Sequence, residues 1–84
     1  MAINARILEI CLDGGLLKTQ IMYKTNISHA MTTSYLSNLR LCGLLETSIN
    51  ESKQIFKTNE KGREYLYYYL RLQQLTEKQG NHEK

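Results

Sequence analysis

Aspartate, histidine and cysteine are scarce in this sequence, and their scarcity removes several classes of function. Asp13 is the only aspartate, His82 lies in the C-terminal tail, and His29 has no carboxylate or thiol partner at a recognisable spacing. No recognisable constellation of an acid–base or nucleophilic catalyst is therefore expected. Gly14-Gly15 is not followed by Gly-Lys-Ser or Gly-x-x-Gly, so there is no phosphate-cradling loop. Cys11 and Cys42 lack a second pair and a Cys-x-x-Cys partner. With His29 they would be three ligands scattered over separate helices, a poor match to the spacing of metal sites. Both fall on apolar helical faces, and buried free thiols are expected. Long apolar runs are also missing. The N-terminal stretch is broken by Arg6, Glu9 and Asp13 and is far shorter than the roughly 20 residues of a membrane span. Neither signal peptide nor membrane segment is expected, which points to the cytoplasm. These absences predict no enzyme, cofactor, metal, small-molecule ligand or membrane partner.

What is present suits one folded domain. Hydrophobic residues make up 42% and charged residues 23% of the 84, ordinary values that argue against wholesale disorder. A domain of this length buries a modest fraction of its surface, so a further source of stability is expected, and oligomerisation is the obvious one. Net charge is +3. Residues 1–43 carry four basic side chains against two acidic, whereas residues 44–64 carry four of each. The excess that favours an anionic partner thus lies in the N-terminal half.

The stretch Asn26 to Leu45, NISHAMTTSYLSNLRLCGLL, reads as a capped helix running into a strand. Ser28 is a good N-cap and Gly43 a left-handed C-terminal stop. Met31, Tyr35, Leu36, Leu39 and Cys42 recur at steps of three and four, which gathers them on a buried face. The opposite face carries Thr33, Ser34 and Ser37, with Ala30 among them and His29 and Arg40 at the margin. It is small, polar and free of carboxylates. A helix of this kind, preceded by another short helix, is what a helix-turn-helix places in a DNA major groove.

Around it the chain reads simply. Ile3 to Leu12 is an amphipathic helix stopped by Asp13-Gly14-Gly15. Leu16-Leu17 is a short apolar link, with room for a single β bridge. Thr19 is expected to cap a second, two-turn helix with Ile21 and Met22 inward and Lys18 and Lys24 outward. After Gly43 the pattern alternates through Leu45, Thr47 and Ile49, turns at Asn50-Glu51-Ser52, and alternates again from Lys53 to Thr58, with Gln54, Phe56 and Thr58 on one face. This hairpin is a wing. Asn59 caps a last helix, EKGREYLYYYLRLQQLTEKQ, about twenty residues and roughly 30 Å long. Leu66, with Tyr69 or Leu70, closes the domain. Tyr65, Tyr68, Leu72 and Leu75 form a second stripe at a and d spacing, which is either domain core or, the preferred reading, the face that pairs with a second chain.

Several stretches make a closer match. KTQIMYKTNIS from Lys18 to Ser28, the Tyr35-Leu36 and Leu39 positions, Gly43-Leu44-Leu45, and FKTNEKG from Phe56 to Gly62 followed by Leu66 resemble the small archaeal winged-helix family that includes the ten-kilodalton coiled-coil chromatin protein and related predicted transcriptional regulators. The resemblance spans nearly the whole chain. It implies a DNA-binding homodimer joined by antiparallel pairing of the C-terminal helices, with one recognition helix and one wing per subunit. Three features depart from the family pattern. Thr58 and Asn59 stand where an aliphatic residue and threonine are usual, so Thr58 is expected to weaken the local core. The last helix ends sooner, and the recognition helix is less basic.

The fold expected is therefore α+β and mainly helical, a winged helix-turn-helix of three helices and a two-stranded wing with an extended C-terminal dimerisation helix. Residues 1–64 form the DNA-binding domain, 65–79 the dimerisation helix and 80–84 a frayed tail. Lys18, Lys24, Arg40 and Lys53 are the expected phosphate contacts, Asn50 and Ser52 accompany Lys53 on the wing, and His29, Thr33, Ser34 and Ser37 line the recognition helix. Affinity would come from phosphates, and hydroxyls discriminate bases less well than a bidentate Arg or Asn, so weak sequence preference is expected. The rival reading is a winged-helix protein-interaction module that does not touch DNA, which the modest charge and neutral helix face would also suit.

Overall fold

The computed structural model describes the backbone of residues 2–82 and the side chains of residues 2–76. In chain order the elements are α1 (Ile3–Ile10), β1 (Leu16–Leu17), α2 (Lys18–Thr25), α3 (His29–Leu41), β2 (Leu45–Asn50), β3 (Lys53–Thr58) and α4 (Glu60–His82). The β2–β3 hairpin is the wing, and the Leu16-Leu17 link pairs with Phe56 and Ile55 to extend it into a three-stranded antiparallel sheet in the order β1-β3-β2. Gly15 makes that pairing possible. Its φ is +80°, and a Cβ there would stand 2.7 Å from Ile55 Cγ2 and 2.8 Å from the Phe56 carbonyl oxygen.

The core gathers Ile7, Leu8 and Cys11 from the first helix and the residue after it, Ile21 from α2, Leu36 and Leu39 from α3, and Leu44, Leu45 and Phe56 from the hairpin side. Burial in this apolar setting pushes the Cys11 thiol up to about 12. Cys42 departs from expectation and is exposed. It follows the last turn of α3, where the chain turns away at Gly43 and nothing packs over the side chain.

Caps set the ends of α3. The Met31 amide donates to Ser28 Oγ at 3.1 Å. At the other end Gly43 takes φ +76°, its amide donates to the Arg40 carbonyl at 2.9 Å, and the Leu44 amide donates to the Leu39 carbonyl at 2.9 Å. This pair of bonds is a Schellman motif, with Leu44 and Leu39 both in the core behind it. The buried line of α3 differs from the sequence reading. Thr32, Leu36 and Leu39 are buried and Tyr35 is half-buried, whereas Met31 is 46% exposed. Thr32 tolerates burial because its hydroxyl donates to the Ser28 carbonyl at 2.8 Å.

The start of α2 also differs. Thr19 is not its cap; the helix begins at Lys18, directly from the strand. Among the described residues no side chain caps the first-turn amides; Gln20 Oε1 instead reaches back and accepts the amide of Leu17, the N-cap residue, at 2.9 Å. Asn26, left-handed at φ +57°, ends the helix and turns the chain toward Ser28.

Thr58 does not weaken the core. It is buried, its hydroxyl donates to the Leu8 carbonyl at 2.7 Å, and its amide donates to the Cys11 carbonyl at 3.0 Å. Asn59 then caps α4 by accepting the Gly62 amide at 2.8 Å while its own Nδ2 donates to the Gly43 carbonyl at 2.8 Å. One side chain thus joins the end of the recognition helix to the start of α4. Leu66 is buried, Tyr69 and Leu70 are half-buried, and the Ala2 amide donates to the Tyr69 hydroxyl at 2.9 Å. The helix continues through Gly80 to His82, past residue 79 where the sequence suggested an end. The rest of the expected tail, residues 83 and 84, lies outside the described residues.

Candidate nucleic-acid interface

Capping and burial fix which way α3 faces. With Thr32, Leu36 and Leu39 inward, the helix presents His29, Ala30, Thr33, Ser34, Ser37, Asn38, Arg40 and Leu41 to solvent. No carboxylate interrupts this surface. Arg40, in the last turn, sits where the helix dipole favours a cation.

Packing of α2 against α3 brings Lys18 alongside. Its ammonium donates to Thr33 Oγ1, and the Thr33 hydroxyl in turn donates to the His29 carbonyl at 3.0 Å. Lys18 is consequently only half-exposed, a held cation. A shallow cleft opens here between α3 and the sheet, lined by Lys18, Thr33, Ser37 and Arg40 from the helices and by Gln54 and Phe56 from β3. A second depression continues from it past Thr19 and Lys53. On its other side Arg40 borders a depression with Ser37, Leu41 and Glu46, so a carboxylate flanks the cationic edge.

Of the residues singled out in the sequence, Lys18, Thr33, Ser37, Arg40 and Lys53 are brought together around these adjoining depressions. Ser34 and His29 lie on the exposed surface of α3, and Asn50 and Ser52 are exposed at the hairpin tip. Lys24 stands apart. It lies on the outer side of α2 with Thr19, Gln20 and the exposed Tyr23. Gln54 and Leu41 were missed. The alternation of β3 already held the signal for Gln54: it shares a face with Phe56, and Phe56 must be core.

The second stripe on α4 is not domain core. Tyr65, Tyr68, Leu72 and Leu75 are 43%, 63%, 64% and 54% exposed. Tyr67 flanks them, edge-on to Tyr68 with ring centroids 5.3 Å apart and with the Arg71 guanidinium 5.9 Å from its own ring centre. Among the described residues no helix is long and apolar enough to cross a membrane. No group of three or more His, Cys, Asp or Glu side chains among them is placed to hold a metal ion.

This architecture, with a capped third helix beside a β-hairpin, defines a winged helix. The winged helix-turn-helix family profile matches residues 1–77, and the chain belongs to that family. No curated protein sequence matches it. Among solved structures it is similar to Sso10a-2, a DNA-binding protein from Sulfolobus solfataricus, at 21% identity and TM-score 0.73 over 94% of this chain and 85% of that one. It is also similar to BldR, a transcriptional regulator from the same organism, at 16% identity and TM-score 0.81 over 92% and 58%. MepR, a transcription regulator of a Staphylococcus aureus multidrug efflux pump, matches at 12% identity and TM-score 0.82 over 94% and 62%, and a MepR variant has been solved bound to an oligodeoxyribonucleotide. The chain spans about three fifths of the length of BldR and MepR. At these identities the likeness is one of fold: that of DNA-binding transcription regulators.

Proposed function

We propose that this protein is a homodimeric DNA-binding protein, a transcriptional regulator or chromatin-associated factor of the nucleoid, that lays α3 in the major groove and its wing against the adjacent backbone or minor groove. The observation that carries the reading is the placement of Lys18, Arg40 and Lys53 around the carboxylate-free exposed face of α3. Neutralised phosphates release counterions and supply most of the affinity. The hydroxyls of Ser34 and Ser37 can meet base edges, but single hydroxyls discriminate weakly, so broad binding with modest preference is the expected behaviour.

The exposed α4 stripe supports the dimer. Leu72 and Leu75 are already partly covered, so burying the rest of each would contribute roughly 1 to 2 kcal/mol before the costs of association. One winged-helix module covers only roughly 600 to 1,000 Å² on DNA, and joining two makes the second contact intramolecular.

The test is Ser37→Glu. A carboxylate at the centre of the exposed α3 face should abolish binding to a labelled random duplex while leaving the unfolding midpoint unchanged. Full binding by a folded Ser37→Glu protein would mean that α3 does not enter the groove. If the wild-type protein ignores DNA, the interaction-module reading takes its place, with the neutral α3 face and exposed Leu41 as the docking surface.

A further inference from the structure

Gln54 belongs to both depressions between α3 and the wing. The strand register explains its aim. Gln54 pairs with Ile49 and Phe56 with Thr47, so these four side chains share the sheet face that carries Phe56 into the core. Moving out from Phe56 toward the tip, Gln54 is the next residue on that face and looks across the cleft at Thr33, Ser37 and Arg40. Ile49 opposite it is 69% exposed, a large apolar side chain that the domain itself does not cover.

For α3 to lie in a major groove while the hairpin reaches the neighbouring minor groove, the sugar–phosphate strand separating the two grooves has to pass between them. We propose that the cleft is the seat of that strand, with Gln54 as its neutral hydrogen-bond donor from the wing. Lys18, held by Thr33, and Arg40 supply the charge; Gln54 Nε2 donates to a phosphate oxygen; and Ile49 lies against the apolar faces of the deoxyriboses. The chemistry suits a phosphodiester, because the lining sets two cations, Lys18 and Arg40, beside an amide donor, drawn from three elements around one cleft. This proposal rests on the DNA-binding reading above.

The two faces of the hairpin provide the test. Gln54→Glu keeps the shape and places a carboxylate in the seat. Ser48→Glu makes the same change of net charge on the opposite face of the sheet, where Ser48 pairs with Ile55. Both positions are exposed, and circular-dichroism melting checks that both variants fold. On a labelled random duplex at low salt, Gln54→Glu should weaken binding by about tenfold or more, since like charges forced together are strongly disfavoured. Ser48→Glu should stay within about threefold, its charge facing screened solvent. Gln54→Lys should steepen the salt dependence by about one unit of log–log slope, as one further phosphate contact requires. Equal losses for the two glutamate variants, or an unchanged slope for Gln54→Lys, would overturn the seat while leaving DNA binding itself standing. A wild-type protein that does not bind duplex DNA would instead remove the reading on which the seat depends, and the seat with it.

Discussion

The hydroxyl of Thr58 donates to the main-chain carbonyl of Leu8 at 2.7 Å in the fully buried seam between the wing and the first helix. Near the end of a helix the last carbonyls lack an intrahelical partner, and a buried one left unpaired is costly. Thr58→Val, which keeps the volume and removes the hydroxyl, should therefore destabilise the fold by about 1 to 3 kcal/mol. Thr58→Ser should cost less. Urea unfolding of the three proteins checks the order, and a Thr58→Val protein as stable as wild type would show that the hydroxyl contributes nothing.

The wing tip is a two-residue turn built from the wrong residues. Glu51 and Ser52 both adopt positive φ, +52° and +67°, between the paired residues Asn50 and Lys53. Such a type I′ turn favours Asn-Gly. Ser52→Gly should relieve left-handed strain and stabilise the fold by about 1 kcal/mol, partly offset by the greater freedom of glycine in the unfolded chain. A rise in melting temperature confirms this; a fall means the turn is held by contacts that the serine makes.

The two cysteines should separate in reactivity. Cys42 is exposed and should take up an alkylating reagent at once in the native protein, whereas buried Cys11, whose thiol is pushed up to about 12, should react only on unfolding. The sign of the pH effect follows. Folding favours the protonated Cys11, so its contribution is fully present below the ordinary thiol value of 9.0 and is lost as pH rises from there toward about 12. Mass spectrometry after native labelling should find one modified cysteine; two would mean that the core opens readily.

Leu72 and Leu75 lie on the exposed stripe of the C-terminal helix. Replacing both by lysine should convert a dimer into monomers in sedimentation velocity, with little change in helical content. Persistence of the dimer would move the interface to another surface.

Much of this was legible in the sequence because local chemistry decides it. Ser28, Gly43 and Asn59 each set a helix end through their own side chain or left-handed backbone, and the structure places all three where the sequence did. What escaped depends on partners distant in sequence. Thr19 looks like a cap, but Leu17 is fixed by its pairing with Ile55, so the helix starts earlier, with Gln20 reaching back to the Leu17 amide. Met31 and Thr32 differ by one helical step, and periodicity prefers the apolar residue; a hydroxyl bonded to the preceding turn makes the polar one acceptable inside. At the candidate interface, the exposure of Ser37 and Arg40 followed from the helix pattern, whereas Gln54 enters through strand register and the Lys18–Thr33 contact through the packing of two helices.

The most direct test of the central claim is fluorescence anisotropy of a labelled random-sequence duplex titrated with the protein at two salt concentrations. Binding at low salt that weakens steeply as salt rises, with a shallower slope by about one unit in Arg40→Glu, is the predicted result. Absence of binding at low salt, or binding indifferent to salt, would contradict a phosphate-anchored winged helix.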